Sequence, residues 1–138
     1  MAKTIHPTFA PAGAPQPFSA YSPMVELDEQ RRSFHLSGQV GVTPDGALAG
    51  DGEAQMRQAW LNVLAVLKGA GLGPEHLVKV VGYITTPELV PAFRTQRDEL
   101  LAGARPASTL VGVPFLADWS LRRFAVRDTL TFPQASAI

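Results

Sequence analysis

The sequence predicts an α+β domain in which two helices pack on one face of a single mixed β-sheet. Three observations lead there. A chain of 138 residues, 46% apolar and 17% charged, is long and apolar enough for one globular domain with a single core. Two stretches repeat apolar residues at helical spacing, while the stretches around them alternate or run β-branched. Their order is strand, strand, helix, strand, helix, strand, strand, and two helices covering one sheet is the economical way to bury it.

Residues 1–16 read as a flexible lead-in rich in proline and alanine, and residues 17–138 as the single domain. Met24–Leu27 and Ser33–Ser37 read as two short strands. The charged run Asp28–Arg32 turns between them, which makes a hairpin. Pro44-Asp45-Gly46 is a strong turn signal. From Gly52 to Lys68 the apolar period becomes helical, with Met56, Trp60, Val63, Leu64 and Leu67 on one stripe and Gly69 and Gly71 closing the helix. His76–Thr85 is a β-branched strand. Thr86, Pro87 and Glu88 then supply an N-cap, a proline at the first helical position and an acid in the first turn. The second helix runs to about Ala102, with Leu89, Phe93, Leu100 and Leu101 facing inward. Thr109–Phe115 and Leu121–Phe132 complete the strands. "TLVGV" is apolar at nearly every position, which implies burial on both faces. No third helix remains to cover the second face, so a subunit interface is expected to cover it.

Composition removes several functions. Twelve basic and twelve acidic residues give zero net charge, which argues against a general grip on nucleic acid or an anionic membrane. The absence of cysteine excludes disulfides, thiolate nucleophiles and Cys-ligated zinc. His6, His35 and His76 have no partner at metal-ligand spacing, so no metal is expected. Gly69, Gly71 and Gly73 end a helix instead of opening one, which removes a dinucleotide loop, and no cofactor is expected. No apolar signal core or membrane-length run occurs, and a cytoplasmic protein is expected.

Several pieces in order carry a resemblance. They are "FHLSGQVG" at 34–41, a Q-x-x-x-N pattern at Gln58–Asn62, and "AGL" followed by "LVKVVGYIT". "PAFRTQRDELL" and "PASTLVGV" at 106–113 follow. From Pro17 to about Leu130 the chain resembles the RidA/YjgF family. The resemblance implies a chorismate-mutase-like fold, a homotrimer, and clefts between subunits that bind a small carboxylate-bearing or carbonyl metabolite. Well-studied members hydrolyse reactive enamines and imines, such as 2-aminoacrylate, to 2-oxo acids and ammonia. An imine carbon is already electrophilic, so such a site must hold the substrate, place a water and assist proton transfer.

Carried onto this chain, the family pattern is partly kept. Its N-terminal aromatic falls at Phe18, and its Ser-Gly-Gln is intact as Ser37, Gly38 and Gln39. The helix asparagine of many active members falls at Arg94. The arginine that grips the substrate carboxylate falls at Ser108, and a strand glutamate falls at Gly112. The water-positioning glutamate of the last strand falls at Arg123 or Ala125, neither of which is a carboxylate. The resemblance therefore implies substrate-binding candidates at Phe18, Ser37, Gly38, Arg94, Ser108, Thr109 and Arg123, with no catalytic residue assigned. Arg123 either supplies anion-binding charge or pairs with Asp98, Glu99 or Asp118 at an interface or faces solvent. Arg94 likewise either serves a site or is solvated. Ser108 and Thr109 either bind a ligand or satisfy backbone at a loop-to-strand junction.

The leading expectation is a RidA-like hydrolase, deaminase-like in chemistry, acting on an enamine, imine or related reactive carbonyl compound with a non-standard substrate. The alternative is a trimer that binds a metabolite or partner without turnover. RNA cleavage or translation inhibition, a label some family members carry, is third, disfavoured by neutral charge and the lack of an aromatic-basic stripe.

Overall fold

The computed structural model describes residues 12–27, 32–116 and the strand at 135–137. Its elements are β1 (Phe34–Leu36), α1 (Gly52–Gly69), β2 (Leu77–Ile84), α2 (Val90–Leu100), β3 (Ala107–Gly112) and β4 (Ala135–Ala137). They form one four-stranded sheet in the order β1-β4-β2-β3. β2 and β3 run parallel, and β4 lies antiparallel to both β1 and β2. This is the expected α+β architecture with a mixed sheet.

Asp51 opens α1 by accepting the Ala54 N–H on its carboxylate at 2.9 Å. The helix closes at Ala70, whose N–H reaches the Leu67 carbonyl. Met56, Trp60, Val63 and Leu67 are buried as their spacing predicts. The second helix begins differently from the expectation. Pro87–Leu89 form a 3-10 turn, and Thr86 precedes it with no side-chain capping bond. Leu89, Phe93 and Leu101 still turn inward, with Leu100 packed against the core. The Pro44-Asp45-Gly46 turn is present, closed by the Gly46 N–H on the Thr43 carbonyl at 2.8 Å.

One expected strand differs. Met24–Leu27 is not in the sheet, and β1 pairs with β4 instead. The reason lies just upstream. Ser22 donates its N–H to the Pro106 carbonyl at 3.2 Å and its hydroxyl to the Arg105 carbonyl, which ties this stretch to the start of β3, across the sheet from β1. The expected last strand, Leu121–Phe132, lies outside the described residues. The place between β1 and β2 is taken by Ala135–Ala137, three small residues without a strand signature.

The core sits between the sheet and both helices. Trp60 of α1 and Phe93 of α2 pack with ring centroids 5.7 Å apart. The Phe93 ring also lies over β2 at Gly82, where a Cβ would stand 2.7 Å from a ring carbon. The helices are further joined by Gln96, which donates to the Glu53 carbonyl at 3.0 Å, and by Arg57 on Glu99 at 2.9 Å. Through its hydrogen bonds and then its charge, Arg57 holds the Glu99 carboxyl below the ordinary carboxylate range. The pair's contribution is thus present above the unfolded pKa and lost as pH falls through the lowered one. Both partners are exposed, so it is small.

Gly82→Ala is expected to destabilise the protein by about 1–3 kcal/mol, because the added methyl meets an aromatic ring in a packed core. Urea unfolding measures it, and adding Phe93→Leu should recover part of the loss; a neutral Gly82→Ala would refute the contact.

Candidate functional site

The loop after β1 carries the intact Ser37-Gly38-Gln39. Gln39 folds back to donate to the Ser37 carbonyl at 3.2 Å. Ser37 and Gln39 line a hollow of about 300 Å³ between β1 and the C-terminal half of α1, closed by Phe34, Leu36, Leu67 and Leu72. Gly38 is exposed beside it.

What holds this loop is Asn62. Its side-chain amide donates to the carbonyls of Val40 at 2.9 Å and Val42 at 2.8 Å, and its oxygen accepts from Gln58 at 2.9 Å. The Q-x-x-x-N pattern thus places two amides on one helix face, one turn apart, so that Gln58 orients Asn62 and Asn62 clamps the loop. One turn earlier, Gln55 donates to the Gly50 carbonyl at 2.8 Å. Gly41 is pressed onto Gln55 so closely that a Cβ would stand 2.5 Å from the Gln55 backbone.

Ser108 and Thr109 lie at the start of β3, paired with Val80 and Val81 of β2. Val80 is core and Gly82 faces Phe93, so the pleat turns Ser108 and Leu110 toward the helices. Thr109 points to the second face with Lys79, Val81, Tyr83 and Val111. Adjacent strand residues never share a face, so the two hydroxyls serve different sides of the sheet. Gly112 borders a second hollow of about 310 Å³ at the C-terminal ends of β2 and β3, with Thr85, Thr86, Pro87 and Pro114.

Arg94 is exposed on α2. Phe18 is 82% exposed, its N–H on the Tyr21 hydroxyl at 3.4 Å. Arg123 lies outside the described residues, as do Asp118 and Ala125. Of Arg123's expected partners, Asp98 is engaged by Arg97 and Glu99 by Arg57. Among the described residues no three His, Cys, Asp or Glu side chains group to hold a metal.

Among the described residues, the candidates therefore do not converge within one chain. Leu36, Ala135, Val80 and Ser108 form one row across the sheet. Ser37 follows Leu36 at one edge, and Ser108 stands at the other. Three interstrand steps separate these edges by ~14 Å. The Phe18 segment joins the β3 edge, because Ser22 is bonded to Pro106, two residues before Ser108. Sequence reasoning missed Arg97, which is 2% exposed and tied to this segment through Ser19. Its signal was present: Phe93, Arg97 and Leu101 repeat every four residues, the inward stripe of a helix.

The family model described as Endoribonuclease L-PSP matches residues 12–121. The chain belongs to this family, the RidA/YjgF family. A RutC family protein of Aquifex aeolicus is 32% identical over 120 residues, covering 83% of this chain and 94% of the relative. A 2-iminobutanoate/2-iminopropanoate deaminase of Dermatophagoides farinae is 31% identical over 102 residues, covering 72% of this chain and 77% of that protein. Among solved structures, the Rid-family protein YyfB of Yersinia pestis superimposes with a TM-score of 0.71 at 30% identity, covering 86% of each chain. In this RidA/YjgF member the Ser37-Gly38-Gln39 loop lies beside the Asn62 amide clamp on Val40 and Val42.

Asn62→Ala should cost about 1–3 kcal/mol, since it leaves two loop carbonyls without their donor. Asn62→Asp should cost as much, because a carboxylate only accepts. Hydrogen exchange across residues 40–49 reads the release directly, and an unchanged pattern in both variants would remove the clamp.

Proposed function

We propose that the protein is a RidA-like hydrolase that converts an enamine, imine or related reactive carbonyl metabolite, in clefts built between copies of the chain. The observation that carries the cleft is the placement of Ser37 and Ser108 at opposite edges of one sheet. A small metabolite spans less than the ~14 Å between those edges. A site drawing on both must bring the β1 edge of one copy to the β3 edge of another, and a homotrimer does this by symmetry. Family membership and the deaminase-named relative support the reaction class.

The chemistry asks little of the protein. Water adds to the electrophilic carbon, a proton moves to nitrogen, and ammonia leaves as the carbonyl forms. Ser37 would hydrogen-bond the substrate from the loop held by Asn62, and Phe18 would cover it from the other edge. Thr109 would meet the substrate from the second face of the sheet at the β3 edge. Without an arginine at Ser108, substrate charge would be met by Arg94 or Arg123, which favours a substrate other than the standard 2-imino acids. Zero net charge favours a small molecule over RNA. The second reading, a trimer that binds a metabolite or partner without turnover, is favoured by one observation: Ser108 turns toward the helices where the family's arginine would bind substrate.

Purified protein is expected to accelerate 2-iminobutanoate and 2-iminopropanoate hydrolysis weakly over buffer, and faster turnover is expected with an enamine, imine or related carbonyl compound other than these two. No acceleration of any imine would overturn the hydrolase reading in favour of the binding one. Subunit mixing tests the cleft. Ser37→Trp and Thr109→Trp are each expected to be inactive alone, while co-refolded mixtures should regain about a quarter of wild-type activity from clefts with two intact edges. A site contained in one chain would regain none.

A further inference from the structure

The α2 helix buries an arginine that the proposed reaction does not use. Arg97 is 2% exposed, although its ion-pair partner Asp98 keeps 47% of its side chain in solvent. That pair could form at the surface without desolvating a guanidinium, which is costly unless its donors are met. Two contacts account for the inward position. The guanidinium lies over the Phe93 ring at 5.7 Å, and Nη2 donates to the Ser19 hydroxyl at 3.3 Å while Nε and Nη2 hold Asp98 at 3.0 and 2.9 Å.

Ser19 belongs to a short strap, Pro17–Ser22, that is fastened again three residues later. There Ser22 binds the carbonyls of Arg105 and Pro106 where the chain enters β3. Inside the strap the Phe18 N–H meets the Tyr21 hydroxyl, while the Phe18 ring stands 82% exposed. A large aromatic held out to solvent on a tied backbone is placed to close on something that arrives later.

We infer that Arg97 is a positioning residue: it locks the Pro17–Ser22 strap to the helical core and thereby sets where Phe18 meets a ligand at the β3 edge. The inference rests on the reading of that edge as one wall of the cleft. Arg97 touches no substrate. It fixes the strap through Ser19, as Ser22 fixes it through the Arg105 and Pro106 carbonyls. Binding then does not have to order the segment, which improves affinity without touching the chemical step.

The test uses the full chain with Ser19→Ala, Arg97→Met, their combination, and Arg97→Lys. Hydrogen exchange at the amides of residues 18–22 should quicken about tenfold in Ser19→Ala and at least as much in Arg97→Met. The double variant should add nothing to Arg97→Met, because both remove one contact. With 2-iminobutanoate, KM should rise several-fold at unchanged kcat, and Arg97→Lys, which keeps a donor, should fall between. Ser19→Ala keeps the test open if Arg97→Met does not fold. Unchanged exchange in Ser19→Ala overturns the proposal, as does faster exchange with an unmoved KM. No turnover in wild type with the exchange response intact counts against the proposed activity and supports the strap. Normal turnover with flat exchange does the reverse.

Discussion

Phe93 lying on Gly82 is the contact on which the rest of the structure depends. The missing side chain at Gly82 lets α2 settle onto β2, and the same ring then meets Trp60 of α1. One aromatic residue thereby fixes both helices against the central strand. It also faces the Arg97 guanidinium, so the spacing of the core reaches the N-terminal segment through one further side chain. The pieces that carry the resemblance to RidA-like proteins hang from this frame: the loop after β1 on α1, and the N-terminal segment on α2 and β3.

Sheet order decides how those pieces can cooperate. With β4 and β2 between them, β1 and β3 present their polar residues at opposite edges, and each edge alone offers only part of a binding surface. The β1 edge supplies Ser37 and the Gln39 turn over an apolar hollow. The β3 edge supplies a hydroxyl on each face and a tethered aromatic. In the proposed cleft, association of identical chains would join unlike edges without any new sequence feature.

The residues that the resemblance sets apart from the family pattern are compatible with the fold. A serine at 108 and a glycine at 112 fit a parallel edge strand packed against α2, and neither disturbs the register with β2. Positions at a strand end tolerate such exchanges because they bury little area, whereas Gly82 and Asn62 sit where the backbone or a carbonyl pair leaves no alternative.

The sequence by itself determined the two helices and their buried stripes, and its motifs in order carried the family resemblance. The helices follow from local periodicity, since an apolar face must turn inward whatever its partner is. Tertiary structure alone decided the rest. Ser22 ties the Pro17–Ser22 strap to Arg105 and Pro106, across more than eighty residues of chain, and this removes the Met24–Leu27 strand. The row through Ala135 sets Ser37 and Ser108 at opposite edges. Arg97 was not among the candidates, although its four-residue spacing from Phe93 pointed inward. Such pairings join residues far apart in sequence, and no local period encodes which distant carbonyl, ring or hydroxyl a side chain will meet.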